Sequence, residues 1–494
     1  MPSSLLLKGG IALIHDEYDH VRPTITDILI SGNRIVKIEP AIEADATTEV
    51  VDCANKIVSP GFIDTHHHVW QTQLKGRHAD DTLLEYVPKG NYGPRQHVNY
   101  TAEDVFWGEL GGCLEAVAAG TTTLMDHAHM NITMALAATI SSGIRSIFGY
   151  SPPLTVESWK PFKMNMDILG GHVMNTFDEL AKNAPFGNGR VQLGFAFDAW
   201  FLPKECVVPL FERVKAAGVK RITSHYVRSA QLGLHSLPEI AHSYGLMDSS
   251  ILWSHATNWT DSDVELFKKS GSTISSTASS ELQMGHGLPI AYQDRAVEMQ
   301  TQIGIGIDCH SSAQGSIPAE MRLGLQAARA VRNERFIEKD LAPVKVKPTV
   351  EEAFNFGTIN GARALGMGKE IGSIQVGKLA DLVILDAMSP AMVCGAQHEP
   401  VAAVVLHSSP ADVDYVIIDG EVRKKGGKLV PAKVEEPAKS LLGKEMLEWK
   451  DVAEELVRSR EQIQKGAEAI DYKQALEDVS KAFQLDLSRL VDDI

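Results

Sequence analysis

The chain lacks most of what would mark a special environment. Its 494 residues include only five cysteines, Cys53, Cys113, Cys206, Cys309 and Cys394. None stands at a spacing that suits a disulfide framework or a zinc ribbon, which points to a reducing, cytoplasmic setting. Positive charge is in deficit: 47 Lys and Arg stand against 63 Asp and Glu, a net charge of −16. There is thus no basic footprint for nucleic acid or for an anionic membrane surface. No uninterrupted apolar run reaches the roughly 18 to 20 residues of a membrane span. The start, Met1-Pro-Ser-Ser-Leu-Leu-Leu-Lys-Gly-Gly10, has neither the basic onset nor the small-residue cleavage site of a secretory signal. What remains, with 44% hydrophobic and 22% charged residues, is a globular composition. A small molecule is the expected partner, and a homodimer or higher homo-oligomer the expected state. The length implies more than one domain.

Both ends of the chain read as short strands with turn punctuation. Near the start, Leu5–Leu7 and Ile11–Ile14 flank Lys8-Gly-Gly10, and Ile28–Ile30 runs through Ser31-Gly-Asn-Arg34 into Ile35–Ile38. Near the end come Gly372–Leu385, then Val401–Leu406, then Val413–Ile418. The two ends are expected to pair into one small β-sandwich, residues 1–59 with 370–430. The long middle, 60–369, alternates strand-like and helix-like segments. Eight strands are expected, beginning with Ile57–Ile63 and Thr121–Met125 and ending with Ile303–Ile307. Thr101-Ala-Glu-Asp104 reads as the capping box of one intervening helix. Eight such units over about 250 to 300 residues match an α/β fold, a (β/α)8 TIM barrel. Residues 431–494 are charged and helix-favouring, a C-terminal extension.

In a barrel of this kind the strand ends form the site, and here they are rich in ligand-type side chains. The first strand ends Pro60-Gly-Phe-Ile-Asp-Thr-His-His-His68, and residues two apart on a strand share a face, so His66 and His68 point together while His67 points away. Strand five ends at His225, strand six at His255 and strand eight at Asp308. Any one of these could be a satisfied core residue. Four strands delivering ionisable groups to one rim would carry a heavy desolvation cost unless a cation compensated it.

Together with Ala119-Gly-Thr-Thr-Thr-Leu-Met-Asp126 and Gly377-Lys-Leu-Ala-Asp-Leu-Val-Ile384, these motifs resemble the amidohydrolase superfamily. The nearest branch holds the triazine hydrolases and the nucleobase-type deaminases, and the resemblance spans about residues 5–430. It implies one divalent metal ion, zinc or iron(II), held by His66, His68, His225 and Asp308. It also implies a hydrolase in which hydroxide on that metal attacks the carbon of a C–N bond in a small cyclic or aromatic substrate. The bond would belong to an amide, a lactam or an amino-substituted heterocycle. Asp308 and His255 are the implied catalytic groups. Two-metal relatives use a lysine at strand four; Gln192-Leu-Gly-Phe-Ala-Phe-Asp198 has none, so a single metal is expected. A non-hydrolytic reaction such as decarboxylation, or a catalytically inactive scaffold, is the alternative on the same fold.

The chain departs from that branch at strand five. The deaminases carry His-x-x-Glu there, whereas this run is His225-Tyr-Val-Arg228, and a guanidinium that stays protonated cannot replace an acid/base. After strand seven, Glu281 stands where an Asn is usual. Arg228 and Glu281 are expected either to pair structurally, or to divide the work, Arg228 binding a substrate carboxylate and Glu281 relaying protons as a catalytic residue. Trp70 and Gln71, just after the first ligand pair, are candidate substrate contacts. His310 is a candidate contact or a loop histidine. Trp70, Phe197, Trp200 and Tyr226 are expected to line the barrel mouth.

Overall fold

Gly61 is where the chain passes from one sheet into another. The structure, a computed structural model, describes residues 4–93, 100–130 and 132–491. In it the expected first strand, 57–63, is two strands. Lys56–Pro60 pairs with Ser4–His15 and with Leu382–Asp386 in the sheet built from the chain ends. Phe62–His68 pairs with Thr121–Ala128 and begins the barrel. A Cβ at position 61 would lie 2.0 Å from Oγ1 of Thr122, so the crossing needs glycine.

The barrel strands follow as Arg145–Tyr150, Val191–Ala196, Ile222–Val227, Ile251–Thr257 and Thr273–Ser276, each parallel to the one before. The eighth is split. Ile303–Ile305 pairs with strand seven, and Asp308–Cys309 pairs with His67 and His68 of strand one, which closes the cylinder. Several strands run further than their apolar segments foretold, because the polar residues at their ends go on pairing, across a register shift between strands five and six: strand two reaches Ala128, strand five Val227 and strand six Thr257. Every residue of strands one and two is buried, as expected of parallel strands covered by helices. The helices begin where the caps are. Thr101 with Asp104 opens Ala102–Ala118, and Thr260 with Asp263 opens Asp261–Ser270.

The chain ends form one nine-stranded sheet. Gly9-Gly10 does not separate two strands; it is a bulge within the single strand Ser4–His15, where Gly9 has φ +72° and its N–H donates to Asp27 Oδ1 at 2.8 Å. Val401–Leu406, expected as a strand, is helical (Pro400–His407), the usual ambiguity of a short apolar run without alternation. The Gly377–Ile384 motif has a plain structural use. Lys378 Nζ donates to the carbonyls of Gly368 and Ile371, and Asp381 accepts a two-pronged pair of hydrogen bonds from Arg145 on barrel strand three, at 2.6 and 3.0 Å. That buried pair ties the sheet to the barrel.

The extension folds back onto its own barrel. Val452 and Leu456 of helix Trp449–Ala467 pack with Phe106, Trp107 and Leu110, and Ser459 Oγ donates to Asp104 Oδ1 at 2.6 Å. A last helix, Tyr472–Ala482, follows. No helix among the described residues is long and apolar enough to cross a membrane.

Candidate metal centre and substrate cavity

Strand alternation does what it should at the end of strand one. His66 and His68 face the barrel axis, and His67 faces away. His66 Nε2 lies 3.1 Å and His68 Nε2 3.2 Å from Asp308 Oδ1, and His68 Nε2 lies 3.1 Å from His225 Nε2. Four donors around a zinc-sized ion at bonds near 2.0–2.1 Å would stand about 3.3 Å apart, so these separations fit a shared cation. His66, His225, His255 and Asp308 each bring one ligand-type atom within 4.8 Å of the others. Burial pushes the imidazoles of His66 and His68 below their usual range, favouring the neutral form that binds metal. For Asp308, burial works in the opposite direction, but His255, His66 and His68 outweigh it and hold the carboxyl well below the usual range. The donor set is thus three imidazoles and a carboxylate, which suits a divalent ion.

Two of these residues sit on strained backbone. His255 has φ +74° and Asp308 φ +63°, the left-handed region that non-glycine residues seldom adopt. Each lies at the end of its strand that faces the site, with its side chain among the cavity-lining residues.

Within this geometry, the sequence pattern of the amidohydrolase family matches residues 57–423. The chain belongs to the amidohydrolase family. Among curated relatives, it is 25% identical over 431 residues to a 5-methylthioadenosine/S-adenosylhomocysteine deaminase of Pyrococcus abyssi, covering 85% of this chain and 93% of that one. It is 29% identical over 418 residues to a 5'-deoxyadenosine deaminase of Methanosphaera stadtmanae, covering 82% and 90%. In fold it is similar to an adenosine deaminase from Xanthomonas campestris with bound zinc, at a TM-score of 0.76 and 19% identity over 93% and 98% of the two chains. The zinc complex of atrazine chlorohydrolase from Arthrobacter aurescens gives 0.76 and 17% over 92% and 100%. This chain is an amidohydrolase-superfamily hydrolase, of the class acting on carbon–nitrogen bonds.

Around the metal centre this amidohydrolase places a second layer: His127 and His129, expected from the sequence as rim residues behind the ligands or facing solvent, and Asp198, which the sequence did not single out. Asp198, at the end of strand four, accepts from the backbone N–H of His225 at 2.8 Å and lies 2.9 Å from its Nδ1. That leaves Nε2 of His225 for the centre, the carboxylate–histidine arrangement that orients a metal ligand. His127 Nε2 stands 3.2 Å from the same carboxylate, and the His129 ring stacks on His68 with centroids 4.6 Å apart. His255 Nδ1 is engaged by Thr277 Oγ1 at 2.9 Å, which turns Nε2 toward Asp308 Oδ2 at 3.9 Å. Burial lowers His255 to about 4, so the ring is neutral.

These groups open into a cavity of about 400 Å³. Its floor includes His68, His225, His255 and Asp308, and its sides include Tyr86, Ile168, Phe197 and Trp200. His286 also lines it, almost wholly buried, its ring 5.1 Å from that of His255 and both ring nitrogens without a hydrogen-bond partner. It had no place in the sequence reading, because a histidine in a Gly-x-Gly turn has no strand-end context.

Several expected contacts are not at the cavity. Trp70 is buried in a cluster with Tyr100 and with Ile463 of the extension, so it is packing rather than lining. Gln71 sits one layer behind, its Nε2 donating to the Tyr86 hydroxyl at 2.5 Å and its Oε1 accepting from Ser311 at 3.3 Å. Tyr226 donates to Asp263 at 2.8 Å and is fully buried. His310 lies behind strand one, its Nδ1 2.9 Å from Nε2 of His67 and its Nε2 3.2 Å from Glu115. The strand ends at Cys309, and His310 lies in the turn that follows, outside the two-residue alternation. Arg228 and Glu281 form no ion pair. Arg228 donates from Nε to the carbonyl of Leu234, outside the described cavity lining, at 3.1 Å. Glu281 is wholly buried, accepts from Thr277 N–H at 2.8 Å and Ser276 Oγ at 3.0 Å, and is pushed up to about 8 by burial. It stands 3.7 Å from His255 Nδ1 as well as bonding Thr277, and it is not among the residues lining the cavity.

Proposed function

We propose that this amidohydrolase is a mononuclear enzyme that hydrolyses the C–N bond of an amide, a lactam or an amino-substituted heterocycle in a small cyclic or aromatic substrate. The observation that carries the reading is the convergence of His66, His68, His225 and Asp308 on one point, with His255 beside them, at a cavity whose lining includes His68, His225, His255 and Asp308. The deaminase names of the curated relatives support the bond type. A divalent ion held by these four residues, zinc in our reading, would supply the Lewis acidity that makes a water molecule nucleophilic near neutral pH.

The protein's own groups do the rest. Asp308 stays ionised, so its second oxygen can take a proton from the attacking water and return it to the leaving nitrogen. His255, neutral and fixed through Nδ1, offers Nε2 to the oxygen on which charge develops. Glu281 is a positioning residue that acts through Thr277 and His255. His286 offers two unpartnered ring nitrogens to the substrate's heteroatoms. Phe197 and Trp200 supply flat apolar walls for a ring.

The test is elemental analysis of the protein as purified, followed by stripping with a chelator and reloading. We expect one metal per chain, and hydrolysis of some member of a panel of lactams, cyclic amides and amino-heterocycles that disappears on stripping and returns with zinc. A purified, folded protein that binds no divalent metal overturns the proposal.

A further inference from the structure

The family match ends at residue 423, yet the cavity does not. Phe483 and Leu485, just after the last helix, line it together with residues of the barrel loops. Their placement is built in several ways. The Phe483 ring stacks on Tyr92, centroids 6.1 Å apart and 22° from parallel, and Tyr92 is itself a lining residue. One turn earlier Val479 is fully buried in a cluster with Val87, Tyr92 and Val156. The N–H of Phe483 donates to Val479 O at 3.0 Å and that of Leu485 to Ser480 O at 2.9 Å, so the turn that carries both side chains is closed by its own backbone. Further back, helix Trp449–Ala467 is fastened to the barrel through Ser459, Gln73 and Asp104.

We propose that Phe483 and Leu485 are specificity-determining residues, forming with Tyr92 and Ile168 an apolar wall that holds an uncharged hydrocarbon or aryl substituent of the substrate. The inference rests on the reading that this cavity is the substrate site. The cavity lining has two chemical characters. Histidines and Asp308 face the reacting ring, and the wall built from the C-terminal segment faces whatever that ring carries. A charged or strongly hydrated substituent would lose its water against that wall without a partner, whereas an apolar one gains by leaving water. About 400 Å³ is also more than a bare six-membered ring needs. The substrate class is therefore a polar ring bearing an apolar group, in preference to the ring alone.

Titration calorimetry on the full-length, zinc-loaded protein tests this with two metal-directed probes, acetohydroxamate and 4-phenylbenzohydroxamate, against wild type and the double variant Phe483→Ala/Leu485→Ala. The expected result is a loss of about tenfold or more for the biphenyl probe with acetohydroxamate unchanged within about twofold. Equal losses for both probes, or no loss for the biphenyl probe, overturn the wall. A second arm uses 4-hydroxybiphenyl, which has no strong metal-binding group, and reads quenching of tryptophan fluorescence. Its affinity should fall by a similar factor in the double variant whether or not metal is bound, and an unchanged affinity overturns the wall on its own. If acetohydroxamate fails to bind wild type while 4-hydroxybiphenyl discriminates the variants, the metal reading fails and the wall stands. Unchanged near-ultraviolet circular dichroism shows that the variant is folded.

Discussion

The two faces of barrel strand one carry the same residue type to opposite ends. On the front, His66 and His68 meet His225 and Asp308 at 3.1 to 3.2 Å and open to a cavity. On the back, one residue between them, His67 is held 2.8 Å from Asp64 and 2.9 Å from His310, which in turn meets Glu115 and, through it, Lys75 near the surface. The back histidines each have a carboxylate within 3.2 Å and each other at 2.9 Å. The front ones are neutral rings crowded nitrogen to nitrogen, an arrangement that a cation would relieve. The difference shows that a buried histidine's role is set by what its neighbours leave unanswered, and strand alternation decides which neighbours it has.

The comparison can be broken by substitution on either face. His66→Ala or His225→Ala should abolish metal retention and reduce turnover by at least about 10³-fold, since several kcal/mol of transition-state stabilisation would be lost with the ion. Elemental analysis beside activity checks this, and a variant that keeps its metal would show that the front is not a metal site. On the back, His310→Ala should keep the metal and lower unfolding free energy by about 2–4 kcal/mol, because Glu115 and His67 lose a buried partner. A denaturant titration reads it; metal loss with unchanged stability would mean that the two faces are not separate. Asp198→Asn stands between them. It keeps the shape but weakens the hold on His225 Nδ1, and metal affinity should fall ten- to a hundredfold in competition with a chelator.

A separate effect tests a buried acid through pH. Glu320, which accepts from Ser279, touches none of the proposed metal ligands, and burial raises its carboxyl from 4.5 to about 8. The folded protein therefore holds that proton more tightly than the unfolded chain. The penalty for ionising it is absent below pH 4.5 and grows as pH rises towards 8, so this group makes stability fall across that window. Glu320→Gln should flatten the fall by up to about 1.4 kcal/mol per pH unit, seen as converging denaturation midpoints at low pH and diverging ones at high pH. Parallel curves would refute the buried-acid account. The smallest change is Arg228→Ala, expected to shift KM by less than about twofold for charged and neutral substrates alike, because the guanidinium donates to a backbone carbonyl outside the described cavity lining. A loss confined to anionic substrates would return Arg228 to the site.

Much of this was legible in the chain itself. A strand ending His-x-His, later strands ending at His225, His255 and Asp308, and a Thr-x-x-Asp cap are local patterns whose geometry follows from the backbone period alone. What failed were judgements about which way a residue faces beyond a strand end. Trp70, Gln71 and His310 lie within three residues of front-facing histidines or Asp308 but leave the strand into turns, where period-two alternation no longer applies. Arg228 and Glu281 looked like partners because both departed from the same family pattern, and that says nothing about distance.

The sequence by itself determined the strand ends, their side-chain chemistry and the order in which a barrel would present them, because these depend on residue type and short-range periodicity. The tertiary structure alone decided that Asp198 would orient His225, that His286 would stand unpartnered beside His255, and that a C-terminal segment 60 residues beyond the family match would line the cavity. Those contacts join residues about 30 to 400 positions apart, and only closure of the barrel and return of the chain end bring them within reach.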